Sequence, residues 1–357
     1  MAVFHTLRIA DIYKETSDTS VVTFDVPKEL YQSFEFSQGQ HLTLKADIDG
    51  EDVRRSYSLC SSPLDKQWKV AVKQILGGKF STYVNSELTV GDQLEVMAPS
   101  GEFGVSVSPE HSKNYLFFAA GSGITPVLSM VKTHLKAEPK ATCKLFYVNK
   151  SANSIIFKEE LEQLRNTYFG RFEIYYFLTR EKRDIDLFNG RFDDEKMKVL
   201  TKTFIDIPDT NEVFLCGPEQ MVEYVSQYLI KAGLPKELIH FELFVKGLSE
   251  EDIKRTERLA KQSVEGVEVT IVDGGKEFKF TMTKDYDNIL DAALNAGADL
   301  PFACKGGVCS TCKCEVKEGA VEMKVNYALE EKEVAQNLVL SCQAVPTTKN
   351  VIVDFDV

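Results

Sequence analysis

Four of the chain's eight cysteines lie in one short stretch, A-C-K-G-G-V-C-S-T-C-K-C-E, from Ala303 to Glu315. Cys304, Cys309 and Cys312 have the spacing C-x4-C-x2-C, and Cys342 follows downstream. Three thiolates from one tight loop and a fourth from elsewhere can hold two irons bridged by two sulfides. Zinc is the alternative, but zinc sites favour paired C-x2-C half-sites, and this chain has a single such pair. We therefore predict a [2Fe–2S] cluster bound by these four cysteines.

The remaining residues of this loop also suit a cluster. Gly306 and Gly307 let the backbone turn so that its amides point at anionic sulfurs. Cys314 would be a fifth thiolate, and we predict that it does not coordinate because four sites are already filled. Cys60 and Cys143 lie in strand-like segments and are predicted to be ordinary buried cysteines.

Two motifs near the N-terminus could hold a nucleotide cofactor. In R-R-S-Y-S-L-C-S, a period of two places Arg55 and Tyr57 on one face of a strand and Ser58 on the other. The second motif is a Gly-rich turn that enters a helix, whose first amides can bind a phosphate. Its residues are Gly77, Gly78, Lys79, Phe80 and Ser81. A buried strand tyrosine is the plain alternative for Tyr57, but the two motifs together favour a binding role.

The pattern of apolar residues changes from Asn114 onward. A continuous apolar run, Y-L-F-F-A-A, predicts a strand covered on both faces, and it leads into G-S-G-I-T-P and a helical stretch. This strand, turn and helix would bind a dinucleotide through Gly121, Gly123, Thr125 and Pro126. Further strands alternate with helices, so an open doubly wound sheet is predicted, with ligands at the carboxyl ends of its strands.

The later strands of this sheet end in residues that could contact a nicotinamide nucleotide. The last one ends at Cys216, Gly217 and Pro218. Lys150 follows the second strand, and Thr-Arg-Glu with Arg180 at its centre follows the third. Cations at these ends, without an acidic residue after the second strand, favour the 2′-phosphate of NADPH over NADH. A solvated charge cluster is the alternative.

The motifs R-x-Y-S, G-x-x-S, T-R-E and C-G-P together resemble the ferredoxin-NADP reductase family. The resemblance implies FAD, with Arg55 and the turn from Gly78 to Ser81 on its pyrophosphate. It also implies that Tyr57 stacks on the flavin ring, that Ser58 lies near flavin N5, and that Cys216 lies beside the nicotinamide during hydride transfer.

The length of 357 residues indicates several domains. We predict a multidomain chain: an antiparallel FAD-binding β-barrel over residues 1–108, and an α/β NAD(P)H domain with a doubly wound parallel sheet over 109–246. A charged linker, flexible or partly helical, would span 247–264. A β-grasp α+β ferredoxin domain would span 265–357, beginning with a hairpin around Asp273-Gly274-Gly275-Lys276.

This order of domains predicts electron flow from NADPH through FAD and the cluster to an external acceptor. The segments C-S-T-C-K-C-E-V and L-S-C-Q-A-V-P resemble the reductase components of bacterial ring-1,2-phenylacetyl-CoA epoxidases, which implies a diiron oxygenase docking near the cluster loop. Reductases of ketosteroid hydroxylases and of other multicomponent oxygenases are the alternative. A non-enzymatic iron–sulfur or zinc redox sensor would leave both nucleotide motifs unexplained.

Composition limits the other partners and the compartment. Hydrophobic residues make up 43% and charged residues 27%, which is ordinary for a globular protein. The net charge of −12 argues against nucleic acid, and no segment has the length and apolarity of a membrane span or signal peptide. From Glu265 onward there are nine lysines, no arginine and sixteen acidic residues, which could form an acidic docking face. We predict a cytoplasmic protein with reduced thiols.

Overall fold

The structure is a computed structural model that describes residues 3–244, 250–262 and 264–357. The chain divides into two compact units. The first unit consists of residues 6–53 and 57–244, and the second is formed chiefly by the chain from residue 250 to its end.

Six strands and one helix form the first part of the first unit: β1 (Phe4–Thr16), β2 (Thr19–Asp25), β3 (His41–Ile48), β4 (Glu51–Ser58), β5 (Trp68–Lys73), α1 (Lys79–Ser86) and β6 (Gln93–Met97). The strands adjoin in the order β4-β3-β6-β1-β2-β5. A bridge from Leu59, just after β4, to Val70 on β5 closes the sheet into the predicted antiparallel barrel. Its interior is apolar, with Leu7, Leu44 and Val72 fully buried.

The rest of the first unit is an α/β layer structure: β7 (Asn114–Ala120), α2 (Ile124–Ala137), β8 (Thr142–Asn149), α3 (Lys158–Thr167), β9 (Phe172–Leu178), α4 (Asp194–Thr203), β10 (Glu212–Cys216), α5 (Glu219–Lys231) and β11 (Ile239–Glu242). The parallel strands lie in the order β11-β10-β7-β8-β9. From β7 the chain adds β8 and β9 on one side of the sheet, and it then returns to add β10 and β11 on the other side. The strand order therefore reverses between β7 and β10. The predicted doubly wound sheet is confirmed.

Direct hydrogen bonds join the barrel to the α/β part within this unit. Ser129 on α2 donates to the carbonyl of Ser61, after β4, over 2.7 Å. Glu15 on β1 accepts a hydrogen bond of 2.7 Å from the backbone amide of Phe157, which precedes α3. These bonds fix the strand that carries the tyrosine motif relative to the nucleotide loops.

The second unit contains the final group of elements: α6 (Glu250–Gln262), β12 (Val267–Asp273), β13 (Lys276–Met282), α7 (Ile289–Asn295), β14 (Lys313–Glu318), β15 (Val321–Met323), α8 (Glu331–Val334), β16 (Leu338–Leu340), β17 (Ala344–Pro346) and β18 (Asn350–Asp354). The main sheet has the order β13-β12-β18-β14-β16. Its central strands β12 and β18 are parallel, and the other neighbouring strands pair antiparallel. This is the predicted β-grasp arrangement, with the apolar face of α7 (Ile289, Leu290, Ala293) buried.

The predicted linker, residues 247–264, includes α6. Leu259 is buried, the hydroxyl of Tyr327 donates to Asp252 over 2.5 Å, and Arg258 pairs with Glu322 at 2.6 Å. Helix α6 thus packs on the β-grasp elements of the second unit. Residues 245–249 and 263 lie outside the described ranges.

Candidate functional site

Two turns meet at the carboxyl edge of the parallel sheet, where the strand order reverses. Gly123 follows β7 and Cys216 ends β10, and a Cβ atom at Gly123 would lie only 2.1 Å from the carbonyl oxygen of Cys216. Gly217 is less confined, because a Cβ there would lie 2.8 Å from the flexible end of the Met221 side chain. The sequence motifs G-S-G and C-G-P therefore form one surface, as a cofactor at a topological switch point requires.

Ser58, Cys216 and Glu242 lie together beside these two turns. Glu242 on β11 is the register partner of Cys216 on β10, and its carboxylate accepts a hydrogen bond of 3.0 Å from the hydroxyl of Ser58. Burial raises the pKa of Glu242 to about 7, and the Ser58 hydrogen bond opposes that rise. The pKa of the Cys216 thiol is raised by its complete burial and by the nearby Glu242 carboxylate. Cys216 is therefore held as a neutral thiol.

The tyrosine motif and the Gly-rich turn lie against each other in the barrel. Tyr57 is half-buried, with its ring centroid 5.9 Å from that of Phe80. Phe80 itself is buried in the barrel core, so its side chain cannot contact a ligand. Ser81 accepts from the Ile75 amide (3.1 Å) and donates to the Gly78 carbonyl (3.2 Å), which fixes the turn. The predicted role of Phe80 is thus limited to its backbone.

The other predicted flavin-binding side chains are exposed. Lys79 forms an ion pair of 2.6 Å with Glu51. Arg55 is exposed, and its guanidinium donates to the carbonyl of Arg54 over 2.6 Å. Gly77 has φ = +75°, a conformation that favours glycine, and α1 begins two residues later.

The loop between β7 and α2 is built to present backbone amides. Gly121 has φ = +54°, and the hydroxyl of Tyr147 donates to its carbonyl over 2.9 Å. Thr125 donates to the carbonyl of Ser122 (3.0 Å), and Pro126 lies in the first turn of α2, where its missing N–H costs nothing. The helix N-terminus therefore points amides toward the sheet edge, where an anion would be stabilised.

Two cations stand at the ends of β8 and β9. The backbone amide of Arg180 donates to the carbonyl of Lys150 over 2.8 Å, which brings the two loops together. Both side chains are exposed, and neither has a hydrogen-bond or ion-pair partner in the part of the chain that the structure describes. Glu181 accepts from the amide of Ala152 over 2.8 Å. This hydrogen bond holds the Glu181 carboxylate at the backbone of Ala152.

The four cysteines predicted to bind the cluster lie in two pairs. The sulfurs of Cys304 and Cys309 are 3.1 Å apart, and the thiol of Cys312 donates to Cys342. The Cys309 thiol and the surrounding backbone amides, that of Gly306 among them at 3.3 Å, lower the pKa of Cys304 to about 5. Amides aimed at sulfur favour the thiolate form that iron requires.

The two cysteine pairs match the number of protein ligands of a two-iron cluster. Cys304 with Cys309, and Cys312 with Cys342, would give each iron of a [2Fe–2S] cluster the two thiolates that it takes from the protein. Cys314 is fully buried on β14, opposite Val339, and burial raises the pKa of its thiol.

Comparisons with known proteins agree with this geometry. Three family models match in order: an oxidoreductase FAD-binding domain over residues 6–104, an oxidoreductase NAD-binding domain over 117–227, and a 2Fe-2S iron-sulfur cluster binding domain over 271–347. The chain is 43% identical to one subunit of the 1,2-phenylacetyl-CoA epoxidase of Escherichia coli (strain K12), over 100% of this chain and 99% of that protein. The chain belongs to the iron–sulfur flavoprotein reductases.

A second relative and a solved structure extend this finding. This reductase is 31% identical to a 3-ketosteroid-9-alpha-monooxygenase, ferredoxin reductase component, of Rhodococcus rhodochrous, over 98% of this chain and 96% of the relative. Phthalate dioxygenase reductase has the same fold, with a TM-score of 0.60 at 23% identity over 99% of this chain and 98% of that structure. The predictions of FAD, a [2Fe–2S] cluster and a pyridine nucleotide are confirmed at the level of the domains.

The sequence analysis missed Glu242 in this reductase. The residue lies in H-F-E-L-F, near the end of the predicted NAD(P)H domain, and was not among the predicted site residues. No spacing rule links it to Ser58, since the two are 184 positions apart. Its position at the carboxyl end of the last strand of the sheet is the one signal that could have indicated it. None of the helices in the described ranges is both long and apolar enough to cross a membrane.

Proposed function

We propose that this reductase takes a hydride from NADPH, divides the electron pair through FAD and passes electrons singly through its [2Fe–2S] cluster to a diiron oxygenase. The epoxidase that acts on phenylacetyl-CoA is the first candidate for that oxygenase. The observation that carries the proposal is the identity of 43% to the epoxidase component over the full length of both chains. The match spans all three domains of this chain.

Each predicted residue receives a role in binding or orientation. Tyr57 would stack on the flavin ring, while Arg55 and the turn from Gly77 to Ser81 would hold the pyrophosphate. The loop from Gly121 to Pro126 would bind the pyrophosphate of the nucleotide. Gly217 and Pro218 would shape the nicotinamide pocket. FAD supplies the step from two-electron to one-electron chemistry.

Ser58, Cys216 and Glu242 would orient the nicotinamide at the switch point. The buried Cys216 thiol gives the ring a neutral, apolar neighbour, because burial keeps its pKa high. The Ser58 hydroxyl, held by Glu242 at 3.0 Å, would stand at the reacting edge of the flavin and retain a proton there. The effect is to exclude water and fix the geometry for hydride transfer.

NADPH is the proposed donor because Lys150 and Arg180 are exposed cations on adjoining loop ends. A 2′-phosphate would bind between them through charge-assisted hydrogen bonds. The need for reduced thiolates and for a soluble nucleotide favours the cytoplasm as the compartment of this chemistry. The cluster loop from Cys304 to Cys312 is the proposed docking face for the oxygenase.

The test uses the purified full-length protein. A flavin and [2Fe–2S] visible spectrum should bleach when NADPH is added. Purified phenylacetyl-CoA epoxidase oxygenase, with its substrate, should then accelerate NADPH oxidation. Cys342→Ser is the control, because it should keep flavin reduction and lose electron delivery. A colourless protein, or one whose spectrum responds to neither NADPH nor NADH, would contradict reductase activity.

The second candidate is the reductase of another multicomponent oxygenase. It is supported by the identity of 31% to the ketosteroid monooxygenase component over almost the whole chain. The same assay distinguishes the two candidates. Turnover with a ketosteroid monooxygenase oxygenase component, and none with the epoxidase component, would favour the second candidate and leave the reductase chemistry intact.

A further inference from the structure

A cleft of about 540 Å³ lies in the second unit between α6 and the strands β14 to β16. Its walls combine polar side chains with the apolar side chains of Val316, Val321, Met323, Val334 and Val339. Volumes of this size accommodate small organic ligands. None of the predicted flavin, nucleotide or cluster residues lines the cleft, so its existence has no explanation in the electron-transfer function.

The polar groups of the cleft leave one cation uncompensated. Arg258 on α6 is paired with Glu322 at 2.6 Å. Arg255, one helical turn earlier on the same helix, also lines the cleft but is exposed and has no ion-pair or hydrogen-bond partner among the described residues. Positions i and i+3 share one helix face, so both guanidinium groups stand on the side of the cleft.

A second polar side chain without a protein partner among the described residues lies on the facing wall. Asn337 precedes β16 with φ = +61°, and its backbone carbonyl accepts from the amide of Val316 over 2.9 Å. Its exposed side-chain amide has no partner within the described part of the chain. By contrast, the Asn326 side chain is occupied, since it donates to Leu329 and accepts from the amides of Ala328 and Leu329.

We propose that this cleft binds a small hydrophobic carboxylate. The hydrocarbon or aryl part would lie against the valines and Met323, and the carboxylate would pair with the Arg255 guanidinium, assisted by the Asn337 amide. A planar guanidinium matches a carboxylate in a bidentate manner. Glu322 at the same cleft opposes ligands of higher negative charge, and a neutral ligand would leave Arg255 unused.

Binding would also affect α6. One wall of the cleft is α6, and the other belongs to the sheet and to the residues around α8. A ligand that contacts both walls binds only when the helix is packed, so it stabilises that packing by mass action. The ligand should therefore slow amide exchange in α6 without changing exchange in α2, which belongs to the first unit.

Octanoate and phenylacetate are the probes, and octanamide and phenylacetamide are their neutral counterparts. Calorimetric titration of the full-length holoprotein should give saturable, single-site binding of the carboxylates. Arg255→Gln should weaken it about tenfold or more, as expected when a charged hydrogen-bond partner is lost. Lys254→Gln is the matched control, because Lys254 is the neighbouring cation on α6 and does not line the cleft.

A second variant tests the cleft itself. Ala320→Phe places a large side chain in the space and should abolish binding of both carboxylates. Amide exchange of α6 should slow with carboxylate in the wild-type protein and not in this variant. The proposal is overturned if neither carboxylate saturates, if the neutral amides bind equally well, or if Lys254→Gln weakens binding as much as Arg255→Gln. The relative affinity for octanoate and phenylacetate distinguishes alkyl from aryl ligands.

Discussion

Ser58 on β4 donates its hydroxyl hydrogen to Glu242 on β11, with 3.0 Å between the two oxygens. The bond joins the barrel strand that carries Tyr57 to the edge strand of the parallel sheet, next to Cys216. Both proposed cofactor surfaces of the first unit are thereby connected through one carboxylate. Because partial burial raises the pKa of that carboxylate to about 7, its protonation state depends on pH in the range where the enzyme would work.

The first prediction concerns the pH dependence of stability. Burial raises the pKa of Glu242 from 4.5 to about 7 in the folded protein. Between these two values the folded state binds a proton that the unfolded chain has lost, so stability falls as pH rises through this window. Glu242→Gln should remove that decrease in the free energy of unfolding, which we expect to total on the order of 2 kcal/mol across the window. Denaturant unfolding of both holoproteins at pH 5 and pH 8 measures it.

Ser58→Ala provides the matched variant for this prediction. The Ser58 hydrogen bond lowers the pKa of Glu242, so its loss should raise that pKa and extend the falling part of the curve above pH 7. Hydride transfer from NADPH should also slow, since the hydroxyl is no longer present at the proposed reacting edge. Identical stability slopes in the wild-type protein and Glu242→Gln would show that Glu242 titrates normally.

Residues that lie close together in sequence could be identified before the structure was known. The turn at Gly123, the strand end at Cys216 and the cysteine loop are local motifs whose spacing reflects chemistry directly. The order of the strands then brings the first two together, because βα units place their carboxyl ends at one edge. Glu242 could not be found in this way, since its role depends on a partner that only the folded barrel supplies.

Helix α6 is a second feature that sequence reasoning could describe only in part. Its many charges suggested a linker, although the helix buries Leu259 and engages Tyr327 through Asp252. Charged helices bury a narrow apolar stripe that composition alone does not reveal. The cleft that contains Arg255 depends on this packing and therefore had no sequence signature.

The second prediction separates the two glycines of the cluster loop. Gly307 has φ = +75°, and a Cβ there would lie 3.0 Å from Val325, whereas a Cβ at Gly306 would meet nothing closer than 3.7 Å. Gly307→Ala should therefore cost about 1–2 kcal/mol in the loop and lower the iron and sulfide content per chain. Gly306→Ala should keep full cluster content. Equal content in both variants would mean that the loop tolerates strain at residue 307.

The third prediction concerns the fifth cysteine of the region. Cys314 is fully buried and paired in register with Val339, while Cys342 stands beside Cys312. Cys314→Ala should retain the [2Fe–2S] absorbance and lose only about 1 kcal/mol of stability from the small cavity. Cys342→Ala should lose the cluster. Iron analysis of the purified variants shows which cysteines coordinate the cluster. Loss of iron in Cys314→Ala would show that Cys314 is a ligand.

The fourth prediction tests the choice of nucleotide. Arg180→Ala removes an exposed cation that has no protein partner among the described residues, so its loss should leave stability unchanged and raise the KM for NADPH about tenfold or more. The KM for NADH should stay within about twofold, because NADH has no 2′-phosphate. Steady-state reduction of an artificial acceptor with each nucleotide measures both values.

Arg183 is the control for this assay. Its guanidinium donates to the carbonyl of Tyr176 over 2.9 Å and lies over the Phe188 ring, so it is engaged within the protein. Arg183→Ala should lower stability slightly and change the two KM values in parallel. If Arg180→Ala also shifts both nucleotides equally, the cation acts on a group that they share. The 2′-phosphate would then have to be recognised elsewhere, with Lys150→Ala as the next variant to compare.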